Sequence, residues 1–278
     1  MRLEGKVAVI TGAGRGIGKA IGKRFLIEGA CVVLNEREPS YAHEIDLEID
    51  AEARGRLLSV EGDISRPEPV EALYRAAVER FGGVDVLVNN AAWVTCRRHF
   101  LDYDEEFWDE VIRNNLKSVY LNCRRVVDIL IARGGGSILN LSSIGATRAH
   151  REMVAYDACK GAIEAMTRAL ALELAPWGIR VNAISPAAIV GVPTAALPPE
   201  VIASKDPRQF ATPLLRQGEP DDVTGAAVFF ASADSAFVTG QCLAVDGGLA
   251  AQARPYALDV AATVTSGTRA PGASRRQA

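Results

Sequence analysis

The sequence lacks any excess of positive charge. Its 31 Lys and Arg residues are outnumbered by 34 Asp and Glu residues, which gives a formal net charge of -3 and an isoelectric point near 5.8. A chain with this balance has no general positive field that would attract phosphate backbones. We therefore expect no nucleic-acid partner.

Cysteine is also scarce, and it forms no motif. The 5 cysteines are an odd number, widely spaced and without a C-x-x-C pair: Cys31, Cys96, Cys123, Cys159 and Cys242. Close cysteine pairs mark zinc and redox sites, and even numbers mark disulfide frameworks. The pattern predicts a reducing, cytoplasmic environment and no metal site.

Long hydrophobic runs are missing as well. The longest uncharged stretch, residues 181–199, contains Pro186, Pro193, Pro198 and Pro199 and is not built like a membrane helix. The apolar run at residues 7–10 is too short for the hydrophobic part of a signal peptide. The sequence therefore predicts no membrane partner.

What the chain does have is a regular alternation of two patterns. Its 278 residues are 49% hydrophobic and 23% charged, as in globular proteins with a sizeable core. Short apolar runs predict strands at 7–10, 31–35, 57–60, 84–88, 137–141, 179–184 and 242–245. Helical periodicity predicts helices at about 17–28, 67–81, 104–132, 154–175 and 219–233. The alternation predicts an α/β fold: a single doubly wound, Rossmann-type domain over residues 1–250, with a largely parallel seven-stranded sheet and helices on both faces.

Two segments fall outside this alternation. Residues 186–218 are rich in Pro and Ala and follow a predicted strand, where an α/β fold places its substrate loops. Residues 251–278 are rich in Ala and Arg, with Asp259 as the one acid. We predict that this C-terminal tail is largely disordered.

A glycine-rich turn follows the first predicted strand and opens into a helix. Residues 11–18 have the spacing T-G-x-x-x-G-x-G. Glycines permit a tight turn and let the N–H groups of a helix N-terminus approach a pyrophosphate. A tight turn without a ligand is the alternative. The candidate phosphate-binding positions are Gly12, Arg15, Gly16, Ile17 and Gly18.

Glu36, at the end of the second predicted strand, bears on the choice of cofactor. It lies 24 residues after Gly12, where an acid can accept hydrogen bonds from both hydroxyls of an adenosine ribose. Its charge would repel a 2′-phosphate, whereas Arg15 and Arg37 would attract one. The sequence favours NAD over NADP.

Four further residues suggest proton transfer. Tyr156 and Lys160 are four residues apart on a predicted helix, and an ammonium group near a phenol favours its ionised form. Ser143 ends a strand at the edge of the sheet where ligands of such folds bind, although it also suits a turn or a cap. Asn115 interrupts an apolar helix stripe. It is either a satisfied structural amide or a residue whose carbonyl holds a water near Lys160.

With these residues in place, the chain resembles the short-chain dehydrogenase/reductase family over residues 3–249. The match is specific because many motifs occur in order on the expected elements. Besides the turn at residues 11–18, Ser143 and the Tyr156–Lys160 pair, they are Gly62-Asp63-Ile64, Asn89-Asn90-Ala91-Ala92, Asn114-Asn115-Leu116, Arg180-Val181-Asn182 and Val245-Asp246-Gly247-Gly248.

The resemblance implies a role for each matching residue. Asn115, Ser143, Tyr156 and Lys160 would form the catalytic tetrad, with Tyr156 as general acid/base. Lys160 would also bind the nicotinamide ribose. Asp63 and Ile64 would contact the adenine, Asn90 and Ala91 would line the cofactor cleft, and Pro186 and Ile189 would hold the carboxamide. A homotetramer or homodimer is usual in this family.

The chain departs from the family pattern at three positions. Ala187 follows Pro186 where glycine is usual, Gly191 occupies a common threonine position, and Ala92 replaces a glycine. These departures bear on the nicotinamide contacts more than on the proton relay. Thr194 is an alternative hydroxyl after a local shift of the chain.

Basic residues cluster in the segments after the fourth and fifth strands. The candidates for substrate contact are Arg97, His99, Arg148, His150 and Arg151, with Arg98 beside them. They indicate a polar, anionic or polyhydroxylated small molecule, and ordinary surface charge is the alternative.

The predicted function is reversible hydride transfer between NAD and a secondary alcohol, ketone or sugar-type hydroxyl. A keto-acyl or cyclic dihydrodiol substrate is an alternative, and a cofactor sensor or scaffold of the same fold is the non-enzymatic one. The glycine spacing does not fit sugar-nucleotide epimerases, which would show T-G-x-x-G-x-x-G.

Overall fold

The computed structural model describes residues 1–38, 51–187, 189, 212–214 and 216–252. Its strands are β1 (Val7–Thr11), β2 (Cys31–Glu36), β3 (Leu57–Glu61), β4 (Val86–Asn89), β5 (Gly136–Leu141), β6 (Ile179–Pro186) and β7 (Cys242–Val245). They form one sheet in the order β3-β2-β1-β4-β5-β6-β7, and every neighbouring pair is parallel. The predicted seven-stranded α/β sheet is confirmed.

The helices follow the predicted positions closely. They are α1 (Gly16–Ile27), α2 (Ala51–Gly55), α3 (Pro67–Phe81), α4 (Glu105–Ile112), α5 (Ser118–Ala132), α6 (Val154–Leu174) and α7 (Pro220–Ala231). Helix α3 begins with Pro67 in its first turn and ends at Gly82, whose φ of 78° suits a left-handed cap. The helix predicted over 104–132 is divided, because a π-helical turn at Arg113–Lys117 separates α4 from α5.

Both faces of the sheet are covered. Along β1, Ala8 and Ile10 face one cluster while Val9 faces the other, as alternating strand side chains must. Helices α1 and α7 supply the first cluster, for example through Phe25 and Phe230. Helices α3, α5 and α6 supply the second. Because both faces are buried, the strands are almost continuously apolar, and the doubly wound prediction is confirmed.

The strand order reverses beside β1. From β1 the chain builds outward through β2 and β3, and it then crosses to β4 and continues outward through β7. The two halves separate at the carboxyl ends of β1 and β4, which leaves a crevice there. The fold therefore gathers the turns after β1, β2, β4, β5 and β6 around one opening.

The predictions for the loop and the tail fall largely outside the described residues. Of residues 186–218, the structure describes 186–187, 189, 212–214 and 216–218, with Ile189 paired to Gly218. Residues 253–278 are not among the described residues. In the part of the chain that is described, no helix has both the length and the apolar character needed to cross a membrane.

Candidate active site

A large cleft of about 1090 Å³ opens at the carboxyl edge of the sheet. It is larger than the roughly 300–1,000 Å³ typical of sites for drug-sized ligands. Nearly all the predicted cofactor positions line it: Gly12, Arg15, Gly16, Ile17, Glu36, Asp63, Ile64, Asn90, Ala91, Tyr156, Lys160, Pro186 and Ile189. Gly18 is the exception, since it is buried in α1 with no room for a Cβ beside the Asn90 amide.

The turn after β1 needs glycine for two separate reasons. Gly12 and Gly16 have φ of 60° and 55°, in the left-handed region that L-residues rarely adopt. A Cβ on Gly12 would also lie 2.7 Å from the Cα of Ala91. The positive φ of Gly12 and Gly16 therefore lets the chain turn sharply. The absence of a Cβ on Gly12 lets the turn pack against the loop after β4. Its shape can admit a phosphate group close to the backbone at the start of α1.

Thr11 was not among the predicted site residues, yet it fixes the two cofactor loops to each other. Its Oγ1 accepts hydrogen bonds from the backbone N–H of Asn90 at 3.0 Å and of Ala91 at 3.1 Å. In return, Asn90 Nδ2 donates to the carbonyls of Thr11 at 2.9 Å and Gly12 at 2.8 Å. The threonine of the T-G motif was the signal that could have predicted this contact.

Two carboxylates border the adenosine end of the cleft. Glu36 Oε2 accepts from the N–H of Gly14 at 3.1 Å, and its Oε1 accepts from the N–H of Arg37 at 2.8 Å. Burial tends to raise the pKa of Asp63, but hydrogen bonds from Ser65 and the nearby Arg37 and Arg66 charges outweigh it and lower that pKa. Both acids can accept hydrogen bonds there, as a ribose or an adenine amino group requires.

Tyr156 and Lys160 lie on the first turns of α6, and both are buried at the cleft. Lys160 Nζ donates to the carbonyl of Leu141 at 2.7 Å and lies 5.5 Å from the centre of the Tyr156 ring. Burial lowers the pKa of Lys160 to about 8. Burial also raises the pKa of Tyr156, although a hydrogen bond with Ser143 opposes the rise. The sequence predicts that Lys160 lowers the pKa of Tyr156. In the structure, burial in low-dielectric surroundings raises that pKa and outweighs such an effect.

Ser143 combines a structural contact with a place in the cleft. Its Oγ accepts from the N–H of Gly145 at 3.0 Å and so caps the short 3₁₀ helix Ile144–Ala146. The same side chain lines the cleft beside Tyr156. The predicted cap and the predicted place at the ligand-binding edge therefore belong to one hydroxyl.

Asn115 is fully buried in the π-helical turn. Its Oδ1 accepts from the N–H of Trp93 at 2.9 Å, and its Nδ2 donates to the carbonyl of Val111 at 3.1 Å. The side chain thus holds the loop after β4 and is satisfied, as the structural interpretation requires. The role predicted for its backbone carbonyl stays a prediction.

Glu164, one turn beyond Lys160, is a residue that sequence reasoning missed. Its Oε1 accepts from Ser142 Oγ at 3.0 Å and from Ser185 Oγ at 2.7 Å. These serines directly precede Ser143, just after β5, and Pro186, at the end of β6. One carboxylate oxygen therefore ties together the ends of two strands that carry site residues. Spacing along the sequence gave no signal for this contact.

The predicted substrate residues separate into two groups. Arg97, Arg148, His150 and Arg151 line the cleft. His99 does not, since it faces outward and its Nδ1 accepts from the N–H of Leu101 at 3.3 Å. Lining residues that were not predicted include Trp93, Val94, Thr95, Asn114, Ile144, Met153, Leu249 and Gln252.

Three of these four predicted substrate residues already have partners. Arg97 Nη2 lies 3.6 Å from a Glu152 carboxylate oxygen, and Arg148 Nη2 donates to the carbonyl of Ala250 at 2.6 Å. His150 Nδ1 lies 2.8 Å from Asp157 Oδ1. The Arg151 side chain is exposed and has no hydrogen bond or ion pair to another described residue. Of these four residues, Arg151 is the one with no described partner.

Glu152 joins the two loops that border the substrate end of the cleft. Its φ of 64° is the one left-handed value of a non-glycine residue in the described chain. Its carbonyl accepts from the N–H of Arg98 at 2.9 Å, and its carboxylate pairs with Arg97. Such a backbone costs on the order of 1 kcal/mol, and these two contacts hold it in place.

Comparisons with known proteins agree with this geometry. A family model of short-chain dehydrogenases, described as enoyl-(acyl carrier protein) reductase, matches residues 12–250. The chain belongs to the short-chain dehydrogenase/reductase family. The family resemblance drawn from the motifs is confirmed, and membership makes the protein an oxidoreductase for hydroxyl or keto groups with a nicotinamide cofactor.

The names of individual relatives of this short-chain dehydrogenase refer to different substrates. It is 39% identical to 3beta-hydroxysteroid dehydrogenase 1 of Eggerthella lenta, over 89% of this chain and 94% of the relative. It is 37% identical to glucose 1-dehydrogenase 2 of Bacillus subtilis, over 89% and 95%. A crystal structure of 3-ketoacyl-(acyl-carrier-protein) reductase from Brucella melitensis complexed with NADH superimposes with a TM-score of 0.80, at 36% identity, and covers 89% of this chain and 99% of that one.

Proposed function

We propose that this protein catalyses reversible hydride transfer between NAD and a polar secondary alcohol or the corresponding ketone. The observation that carries the proposal is the meeting of Ser143, Tyr156 and Lys160 in one buried corner of the cleft. Asn115 completes the tetrad from the adjoining π-helical turn. A sensor of the same fold would need none of these four groups, which favours an enzyme.

The proposed proton transfer takes place at the phenol oxygen of Tyr156. Ser143 donates a hydrogen bond to the substrate oxygen, and Tyr156 removes the proton of the alcohol or returns it to the ketone. Because burial raises the pKa of Tyr156, the phenol holds its proton firmly in the protein alone. When bound, the nicotinamide cofactor accepts or supplies the hydride.

Lys160 and Asn115 act on either side of this centre. Lys160, directed by its hydrogen bond to Leu141, would hold the nicotinamide ribose and favour ionised Tyr156 during turnover. The Asn115 carbonyl would hold a water molecule near Lys160 and so extend the path for the proton. Pro186 and Ile189, which line the same end of the cleft, would hold the carboxamide.

The cleft walls fit a dinucleotide, and Glu36 favours NAD. The left-handed Gly12 and Gly16 bring backbone close to a pyrophosphate position, and Asp63 and Ile64 border an adenine position. The Glu36 carboxylate would accept from ribose hydroxyls and repel a 2′-phosphate. Arg15 and Arg37 also line this end, so NADP is the alternative that the experiment must include.

A polar substrate agrees with the groups around the substrate end. Arg151 has no partner among the described residues and would meet an anionic or hydroxylated part of the substrate. The relatives are named for a steroid, a sugar and an acyl chain, so their names do not decide between these classes. We also propose a cytoplasmic homotetramer or homodimer. The five cysteines are all unpaired, which supports a reducing compartment.

The proposal is tested by following the absorbance of reduced nicotinamide with NAD or NADP and a panel of neutral, anionic and polyhydroxylated secondary alcohols. We expect turnover with NAD that falls by at least about a hundredfold in Tyr156→Phe, while cofactor binding persists. Near-normal activity of this variant would show that Tyr156 is not the general acid/base. Cofactor binding without turnover across the whole panel would favour the sensor.

A further inference from the structure

His150 is held in the wall of the cleft by two contacts with one carboxylate. Its Nδ1 lies 2.8 Å from Asp157 Oδ1, and its backbone N–H donates to Asp157 Oδ2 at 2.7 Å. The Asp157 side chain is only 12% exposed. Gly145 packs against the pair so closely that a Cβ there would collide with both side chains. The imidazole therefore has a fixed position.

The carboxylate also decides which ring nitrogen carries the hydrogen. A carboxylate oxygen only accepts, so Nδ1 must donate to Asp157. A neutral imidazole then presents Nε2 as an acceptor, and no other described residue hydrogen-bonds to it.

Asp157 places this acceptor relative to the reacting centre. It follows Tyr156 directly on the first turn of α6, so the helix that positions the phenol also positions the imidazole. Both side chains line the same cleft. A group that meets Nε2 must bring a hydrogen, which a hydroxyl does and a carboxylate or a ketone does not.

We propose that His150 determines specificity by accepting a hydrogen bond from a second hydroxyl group of the substrate, beside the hydroxyl that is oxidised. Asp157 is the positioning residue that keeps Nε2 an acceptor. The substrate class is thus a diol or polyol. This inference rests on the proposed dehydrogenase function and adds the second hydroxyl to it.

The test compares matched substrate pairs that differ by one hydroxyl, such as cyclohexanol with trans-1,2-cyclohexanediol and 2-butanol with 2,3-butanediol. With His150→Phe, the ratio of kcat/KM for the diols to kcat/KM for the matched simple alcohols should fall about tenfold, since one hydrogen bond specific to the diols is lost. His99→Phe is the matched control, because that histidine lies outside the cleft. Thermal unfolding of each variant shows whether the fold is kept.

Asp157→Asn gives a second and sharper measurement. The backbone N–H of His150 needs the remaining amide oxygen, so the new NH₂ group must face Nδ1. Nδ1 then has to accept, the hydrogen moves to Nε2, and the ring offers a donor to the substrate. A hydroxyl can also accept from this donor, so diols keep a partner, whereas kcat/KM for a substrate whose second group only accepts, such as 3-hydroxy-2-butanone, should rise relative to 2,3-butanediol although the side chain keeps its size.

The outcomes separate the two proposals. Turnover of alcohols with a diol preference that neither variant changes contradicts the role of His150 alone. An equal loss for diols and simple alcohols also contradicts it, because a structural effect would not distinguish them. Absence of turnover in the unaltered protein with every compound contradicts the dehydrogenase function itself.

Discussion

At the scale of single residues, the two ionisable groups of the candidate relay both move toward their uncharged forms. Burial raises the pKa of Tyr156 and lowers that of Lys160 to about 8. Lys160 directs its ammonium group to the carbonyl of Leu141, which satisfies one of its donors without neutralising its charge. Burying the charge therefore costs stability, and that cost depends on pH.

The first prediction concerns this pH dependence. The pKa of Lys160 falls from 10.5 unfolded to about 8 folded, so between these values the unfolded chain binds more protons. Stability from this group must therefore rise with pH in that window, by at most about 1.4 kcal/mol per pH unit. Relative to Lys160→Met, the free energy of unfolding of the unaltered protein should increase from pH 8 to pH 10. Denaturant titrations of both proteins measure it, and a constant difference would contradict the lowered pKa.

The second prediction concerns Glu36 and the cofactor. Removing its carboxylate in Glu36→Ala should raise the ratio of NADP to NAD catalytic efficiency by about tenfold to a hundredfold, because the repulsion of a 2′-phosphate is lost while Arg15 and Arg37 remain. Glu61→Ala is the control. That residue pairs in register with Glu36 on the neighbouring strand and does not line the cleft. Steady-state kinetics with both cofactors decide, and an unchanged ratio would remove Glu36 from cofactor selection.

At the scale of elements, the contact of Glu164 joins β5, β6 and α6. Ser142 and Ser185 both donate to one oxygen of this carboxylate. In Glu164→Leu, Ser185 loses this acceptor and Ser142 keeps only the carbonyl of Lys160 at 3.3 Å, so the strand ends that precede Ser143 and Pro186 lose their common support. We expect this contact to fix Ser143 and Pro186 relative to each other, and so the proposed substrate-oxygen and nicotinamide positions.

The third prediction follows from that contact. Glu164→Leu should lower kcat more than it raises the KM for cofactor, and should reduce stability by about 1–3 kcal/mol. Glu164→Gln keeps an amide oxygen for both serines and should restore most of kcat. Kinetics and denaturant titrations of the two variants provide the measurement. Equal loss in both variants would mean that the charge matters rather than the position of the oxygen.

The elements show what the sequence could predict and what it could not. The strands and long helices were predictable because sheets buried on both faces need nearly continuous apolar strands. The division of the predicted helix 104–132 was not predictable. The Asn115 side chain in the dividing turn bonds to Trp93 in a different segment, and periodicity within the helix does not report such a contact. The Glu164 contact was hidden for the same reason, since its partners lie on two distant strands.

At the scale of the whole molecule, one cleft collects loops from both halves of the sheet. The cofactor end was predictable because its turns follow β1, β2 and β4 at fixed positions. The substrate end was predictable only as a set of charges. Which of those charges are paired depends on contacts between loops, so His99 had the same sequence signal as His150 and yet lies outside the cleft.

The fourth prediction belongs to this scale, because a ligand that spans both halves stabilises the whole fold. NADH at about one hundred times its dissociation constant should raise the free energy of unfolding by about 2.7 kcal/mol, and NADPH at the same concentration should raise it less. Thermal unfolding with each cofactor measures this without any substrate. Equal shifts would argue that Glu36 does not discriminate, and absence of any shift would contradict cofactor binding.

The left-handed backbone at Glu152 has a consequence for exchanging parts between relatives. Through Arg97 and Arg98 this residue connects the loop after β4 with the loop after β5. If only one of the two loops came from a relative, the hydrogen bond of Arg98 to the Glu152 carbonyl and the ion pair of Arg97 with the Glu152 carboxylate would be lost. Where Glu152 is kept, its unfavourable φ would remain. Engineered chimaeras of this protein should therefore exchange residues 93–99 and 147–153 together as one module.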